Sequence, residues 1–224
     1  MIAITVRDGL GARVTTLANA MSSGRFVRFG WAVNEHCPLP HADVFPNGIP
    51  GVEFTDPACD AGFTEWNTRP FYSWDGAADR TLANAAYTTI LTAMAGEPWS
   101  RFQIAICGRF FRNPPASPQA LAEQALRTAL ADGVHCLFLM ADSHRAEIAH
   151  TLACAGISVI SAVAPELTSD LARTPAETRL FLDDWRTLLA ARTIVAIDGP
   201  TCLLHPARAA GRILIYAPSV PSVP

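Results

Sequence analysis

From about residue 102 onward, short apolar runs alternate with helix-length amphipathic stretches, the pattern of successive strand–helix units in a parallel sheet. The runs predict strands at 102–107, 135–141, 157–162, 193–197 and 212–216, with helices over 117–132, 144–155, 175–191 and 202–210. Punctuation residues support these limits. Ser117-Pro118 reads as a cap followed by a first-turn proline, and Gly133 stops the helix that follows. Thr174-Pro175 opens the helix carrying Leu180, Leu188 and Leu189, and Gly156 ends the one that begins after Ser143. This half is expected to be a doubly wound parallel sheet.

The first half is less regular. A strand at 2–7, a glycine turn, a helix over 12–21 and a strand at 26–32 make another βαβ start, and 78–95 returns to helix. Between them, 34–74 is rich in Pro, Gly, Asp and aromatic residues and is expected to be irregular. Long irregular stretches in compact chains more often carry binding segments than simple connections, so the acceptor side of a site is expected there, with Asn34 and His36 as its candidates. Gly96-Glu97-Pro98 predicts a boundary, giving domains over 1–97 and 98–217. The proline-spaced segment 218–224 is expected to be a flexible tail.

Half of the 224 residues are hydrophobic and only 17% are charged, which suits strands buried between helices. A net charge of −3 supplies no basic field for a nucleic-acid backbone. The N-terminus is too soon charged for a secretory leader and no apolar run reaches membrane-spanning length, so a cytoplasmic protein is expected. The six cysteines are scattered, which favours reduced and mostly buried thiols. His36, Cys37 and His41 lack a second ligand pair at zinc-like spacing, so no metal and no other cofactor is expected.

Several predicted turns could carry chemistry. Asp8-Gly9-Leu10-Gly11-Ala12-Arg13 joins a strand to a helix, where small residues admit a ligand to the backbone and helix N–H groups attract anions. Tight packing would select the same glycines. Arg109 follows a strand directly, at the carboxyl end where open α/β sheets place ligands, and its guanidinium could fork onto a diphosphate. Arg109 and Arg112 would otherwise form a solvated rim or ion pairs. Asp142 and Ser143 stand at the next carboxyl end as helix caps or as contacts to a base or ribose, and Asp198-Gly199-Pro200-Thr201-Cys202 makes a third such turn.

There is no Gly-x-x-x-x-Gly-Lys-Ser/Thr phosphate loop and no complete Gly-x-Gly-x-x-Gly fingerprint, which removes the main device of NTPases and ordinary dehydrogenases. No Gly-x-Ser-x-Gly elbow exists, so a hydrolase at Asp142, Ser143 and His144 lacks support. The Asp-x-Asp of many metal-dependent glycosyltransferases is also missing, which favours direct cationic stabilisation of a leaving diphosphate by Arg109.

Taken in order, these segments resemble the fucosyltransferase superfamily of nodulation α1,6-fucosyltransferases and protein O-fucosyltransferases. Gly9-Leu10-Gly11-Ala12-Arg13 resembles the Gly-Leu-Gly-Asn-Arg opening of that family, with alanine where asparagine is usual. Trp31-Ala32-Val33-Asn34-Glu35-His36-Cys37, followed by Asp43-Val44-Phe45, resembles its Trp-x-x-Asn-x-x-Cys and Asp-Leu-Phe segment. Cys107-Gly108-Arg109 falls on its His-x-Arg motif, retaining the arginine and replacing the histidine; Asp142-Ser143 resembles its Thr-Asp-Ser turn, and Thr201-Cys202 corresponds loosely to its serine-bearing turn near the phosphates.

The resemblance implies two Rossmann-like halves facing a central cleft, a GDP-sugar donor held mainly by the second half, and transfer to a glycan or other hydroxyl acceptor with inversion and no obligatory metal. The expected donor-binding residues are Gly9, Gly11, Arg13, Arg109, Asp142, Ser143, Thr201 and Cys202. Arg109 would be electrostatic, and Asp8 or Glu35 would serve as general base. A non-catalytic nucleotide-sugar or glycan-binding relative is the alternative that the replacement at Cys107 motivates.

Overall fold

The computed structural model describes residues 1–56, 64–65 (backbone only), 74–110, 117–167, 174–197 and 201–218. The chain divides into two compact units. The first comprises Met1–Ala95 with Ala172–Thr178 and Pro200–Gly211, and the second comprises Gly96–Leu171 with Arg179–Gly199 and Arg212–Pro224. The division between Ala95 and Gly96 is therefore followed by two later returns of the chain to the first unit.

In the first unit the strands β1 (Ile2–Thr5), β2 (Val27–Gly30), β3 (Val52–Thr55) and β4 (Thr64–Glu65) form a parallel sheet in the order β3-β2-β1-β4. Ile2 stands beside Val27, Val27 beside Val52, and Ile4 beside Thr64. A wholly parallel sheet needs crossovers, and α1 (Leu10–Met21) supplies the first. That helix is buried from Leu10 to Ala20, because its small residues let it pack against both the sheet and α3 (Arg80–Ala93). The Asp79 carboxylate caps α3 by accepting from Leu82 N at 2.9 Å.

The expected irregular stretch 34–74 contains more order than its composition suggests. It holds the short helix α2 (His41–Val44) as well as β3 and β4. β3 has only four residues and two apolar side chains, so pairing with β2, rather than local propensity, defines it. Phe54 on β3 stacks on Phe45 at 5.4 Å and on His41 at 4.9 Å, and meets Trp31 edge-on at 6.0 Å. The aromatic residues of this stretch thus make a small core of their own.

In the second unit β5 (Ile104–Gly108), β6 (Cys136–Ala141), β7 (Ser158–Ser161), β8 (Thr193–Ile197) and β9 (Ile213–Ala217) form a parallel sheet ordered β7-β6-β5-β8-β9. This is the doubly wound arrangement read from the sequence, shifted by one or two residues at strand ends. Helices α4 (Pro118–Asp132) and α5 (Arg145–Cys154) cover one face through Leu121, Ala125, Ile148 and Leu152 against Ile104, Ile106, Leu137 and Leu139. Ser117 Oγ accepts from Ala120 N at 3.1 Å, and Gly133 is left-handed at φ 64°. Thr174 and Glu177 form a reciprocal capping box at the start of α6 (Pro175–Ala190), at 2.7 and 3.3 Å.

The expected helix at 202–210 is instead a 3₁₀ turn at Cys202–Leu204 followed by the short helix α7 (His205–Ala209), with Pro206 at its first turn. This segment lies in the first unit, against α1. A Cβ on Gly11 would stand 3.2 Å from Leu203 N and 3.3 Å from the Cys202 carbonyl carbon. Gly11→Val is therefore expected to destabilise the protein by about 2–3 kcal/mol, and Gly11→Ala by roughly half of that, read by thermal denaturation. Equal melting temperatures for Gly11→Val and the wild type would remove this packing role.

The cysteines are mixed in exposure. Cys37 and Cys107 are buried, Cys202 is half-buried, and Cys136 and Cys154 are exposed, so the expectation of mostly buried thiols fails at the latter two. Cys136 opens β6 before the strand enters the core, and Cys154 lies at the end of α5. The expected tail beyond 218, Arg112 and Asp198-Gly199-Pro200 lie outside the described residues.

Candidate functional site

In each sheet the first strand of its unit is central, with later strands added on either side, so the order reverses at β1 in one unit and at β5 in the other. Ligands of open α/β sheets bind outside the carboxyl ends of strands at such reversals. β1 leads to Asp8 and Gly9, and β5 leads to Gly108 and Arg109.

At the end of β5, Arg109 Nε lies 3.7 Å from Asp142 Oδ2, with the two side chains 17% and 2% exposed. Asp142 Oδ1 accepts from Phe110 N at 2.9 Å, and the Asp142 carbonyl accepts from Leu167 N at 2.7 Å. The carboxylate is thus a fixed post beside which the guanidinium is held. Arg109 Nε is buried without a hydrogen-bond partner among the described residues, a state that favours an oxyanion at this place. Gly108 is imposed by packing, since a Cβ there would stand 2.7 Å from Phe110 Cε2 and 2.8 Å from Ala141 Cβ.

Neither Asp142 nor Ser143 caps α5, as the sequence had suggested. The N-cap position is His144, which has the left-handed φ of 62° and no side-chain cap bond. Among the described residues His144 is alone among non-glycine residues in a positive φ, and such strain gathers at functional turns. Its ring meets Phe110 edge-on at 5.0 Å and lies 3.3 Å from Glu147 Oε2. Ser143 is half-buried at this turn. Arg145 closes the base of the turn by donating to the carbonyls of Ala141, Ala162 and Ala164 at 2.7, 3.0 and 2.6 Å.

Cys107, at the place of the resembled histidine, faces inward. It is 2% exposed, and burial pushes its thiol up to about 12, Arg109 offsetting part of the rise. At neutral pH it is a thiol in the core and offers the site no acid, base or nucleophile.

At the end of β1 the residues of the other resembled segment meet around Arg13, which is wholly buried. Its Nε donates to the Asp8 carbonyl at 2.7 Å, Nη1 to the Ala32 carbonyl at 2.7 Å, and Nη2 to Asn34 Oδ1 at 3.0 Å. The guanidinium carbon lies 4.8 Å from the Trp31 ring centroid. Burial lowers the Arg13 pKa, and the neighbouring Cys37 and Asp8 act against that. Arg13, expected among the donor-binding residues, is therefore occupied in joining the loop after β1 to the loop after β2.

Asn34 is similarly committed. Its Oδ1 also accepts from His36 N and Cys37 N at 3.1 and 3.0 Å, and its Nδ2 donates to the Arg7 carbonyl at 2.7 Å. Trp31 Nε1 donates to the Leu39 carbonyl at 2.8 Å. The Trp-x-x-Asn-x-x-Cys pattern is, in physical terms, a lock on the loops that follow β1 and β2. Asp8 Oδ1 accepts from Gly9 N at 2.6 Å. Glu35, 63% exposed, and His36, 32% exposed, lie 3.7 Å apart and present their side chains outward.

Cys202 and Leu203 stand against Gly11. Thr201 Oγ1 accepts from Leu203 N at 3.4 Å, capping the 3₁₀ turn on α1. Beside them is a cluster that the sequence did not announce: Trp74, Arg80, His205 and Arg208. Arg80 and Arg208 lie over the Trp74 ring at 4.1 and 4.6 Å, and His205 meets it at 5.7 Å. The tryptophan and the histidine are more than a hundred residues apart, so no local motif could reveal them.

Burial lowers the His205 pKa to about 4, with Arg208 and Arg80 adding to the effect and Asp75 opposing it. The unfolded ring titrates near 6.5, so between those values the unfolded chain binds the extra proton. This part of the stability is complete above pH 6.5 and is lost as pH falls towards 4. His205→Asn is expected to remove about 2–3 kcal/mol of that pH dependence, seen as a flatter plot of melting temperature against pH between 6.5 and 4. Parallel curves for the two proteins would contradict the assignment.

Among the described residues, no group of three or more His, Cys, Asp or Glu side chains could hold a metal ion. Likewise, no helix is long and apolar enough to cross a membrane.

No protein-family model matches the chain, and no curated protein matches it. Its fold is similar to that of NodZ α-1,6-fucosyltransferase. The structure of that enzyme co-crystallised with GDP matches at a TM-score of 0.56 and 13% identity, covering 93% of this chain and 92% of that one. The structure soaked with GDP-fucose matches at a TM-score of 0.52 and 15% identity, with the same coverages. The likeness places the chain in the Rossmann-like α/β fold of that fucosyltransferase.

Proposed function

We propose that this chain is a fucosyltransferase-like glycosyltransferase that moves a sugar from a nucleoside diphosphate donor, GDP-fucose by default, to an acceptor hydroxyl. The observation that carries the reading is Arg109, ion-paired with Asp142 at the strand-order reversal, its buried Nε making no hydrogen bond among the described residues. NodZ, whose fold is similar, was co-crystallised with GDP and soaked with GDP-fucose, which supports a donor of that class.

In this reading the second half binds the donor and the first half the acceptor. The acceptor oxygen attacks the anomeric carbon, the bond from that carbon to the β-phosphate oxygen breaks with inversion, and its electron pair leaves with the diphosphate. Arg109 stabilises the charge that develops there, with no metal required. Asp142 holds Arg109 in place, while Ser143 contacts the nucleoside. Gly9 lets the chain turn closely after β1, and Gly11, Arg13, Asn34, Thr201 and Cys202 shape the loops rather than touch the donor. The acceptor proton passes to Glu35, which is exposed beside His36; Asp8 is the second choice because its carboxylate already accepts from Gly9 N.

A second reading, a binding-only relative, is favoured by one observation: Cys107 contributes no reactive group where the resembled family has a histidine. Incubation with GDP-fucose separates the two. Slow release of GDP, even without an acceptor, supports the transferase. Saturable binding of GDP-fucose with no release supports the binding module.

A further inference from the structure

The cluster of Trp74, Arg80, Arg208 and His205 in the first unit uses no residue of the Arg109 site. Its two guanidinium groups share one indole ring, at 4.1 and 4.6 Å. Among the described residues neither makes an ion pair with a carboxylate. Arg80 Nη1 is buried and has no hydrogen-bond partner among them, while Arg208 is exposed. Trp74 also stacks on Tyr87 at 6.3 Å, so the indole is held as a platform for the two cations. His205 is fixed with Nδ1 3.1 Å from Thr15 Oγ1.

Two like charges held over one ring repel each other, and a buried guanidinium nitrogen with no acceptor carries an unrecovered desolvation cost. Asp75, on the 3₁₀ turn that carries Trp74, is exposed and reaches the cluster only through its field on His205, and Asp79 is engaged in capping α3. The missing element is an acceptor-only group with several oxygens in one plane or tetrahedron, able to take an N–H from each arginine. We infer that this cluster is an oxyanion site for a phosphate-type group, bound between Arg80 and Arg208 beside His205. Planar forked donors suit such a ligand better than a halide, because each guanidinium can direct two N–H groups at it. An exposed Arg208 next to a half-buried Arg80 gives the anion a way in from solvent and a partner at depth.

The test uses thermal denaturation of the full chain at fixed ionic strength, with sodium chloride exchanged stepwise for inorganic phosphate at neutral pH. The wild type is expected to rise by several degrees with a saturable dependence on phosphate, since a ligand of the folded state stabilises it by mass action. Arg208→Gln, a surface substitution, and Arg80→Gln are each expected to lose most of that rise. Proton NMR of the His205 ring supplies a second readout: phosphate neutralises the field of the two arginines and should move the His205 titration upward relative to chloride. A sugar phosphate acting at a tenfold lower concentration than inorganic phosphate assigns the oxyanion to a phosphorylated ligand, and equal midpoints assign the site to the free anion. An equal phosphate response in the wild type and both variants, with no movement of the His205 titration, overturns the site.

Discussion

Arg13→Ala is expected to destabilise the protein by about 3–5 kcal/mol, among the largest effects available from a single polar side chain. The substitution deletes a wholly buried guanidinium and takes a hydrogen bond each from the carbonyls of Asp8 and Ala32 and from Asn34 Oδ1. It also removes the cation from the Trp31 face and leaves a cavity between two loops that the Asn34–Arg7 hydrogen bond still joins. At roughly 2–4 °C per kcal/mol for a chain of this size, the melting temperature should fall by on the order of 10 °C. Arg13→Lys keeps the charge but cannot reach three acceptors at once, so it should recover only part of the loss. Wild-type stability in Arg13→Ala would mean that the guanidinium is not the buckle described, and would return it to the candidates for ligand binding.

Arg109→Ala is expected to act on function beyond the stability it loses by leaving the buried Asp142 carboxylate without its cation. With Arg109 at the donor diphosphate, its loss should weaken GDP binding by about ten-fold or more and slow sugar release or transfer by about 10²–10³-fold, the scale of removing one charge-stabilising donor. Asp142→Asn should produce a smaller change in the same direction, because the amide can still accept from Phe110 N while the charge beside Arg109 is gone. Unaltered GDP affinity and sugar release in Arg109→Ala would place the diphosphate elsewhere.

What the sequence made legible follows from how much of each element's identity is local. The sheet of the second unit could be read because β5, β6 and β8 are nearly continuous apolar runs, buried on both faces, and because Ser117, Gly133 and Gly156 mark helix ends by backbone chemistry. β3 could not, since Val52-Glu53-Phe54-Thr55 becomes a strand by pairing with β2 inside a stretch of prolines and glycines. The predicted single helix after 201 overlooked that Pro206 starts a new helix rather than continuing one.

The candidate site shows the same division. That Arg109 and Asp142 stand at strand ends was readable because both follow apolar runs directly. The inward turn of Arg13 was hidden, because an arginine in the first turns of a helix reads as an anion ligand until its acceptors are known to be Asp8, Ala32 and Asn34. Gly11 illustrates the converse. Of the two roles open to it in the sequence, ligand access and close packing, Gly11 shows the second, against Leu203 and Cys202. Neither outcome is visible in spacing, since Arg13 depends on Ala32 and Asn34, 19 and 21 positions away, and Gly11 on the distant Cys202 and Leu203.

Calorimetric titration of the wild type and Arg109→Ala with GDP, UDP, CDP and ADP under one buffer condition decides whether Arg109 builds a donor site. Saturable binding of GDP in preference to the others is expected, weakened about ten-fold or more in Arg109→Ala at a temperature where both proteins are fully folded. Absence of heat with every nucleotide, or GDP binding of equal affinity in both proteins, would contradict a donor site built on Arg109.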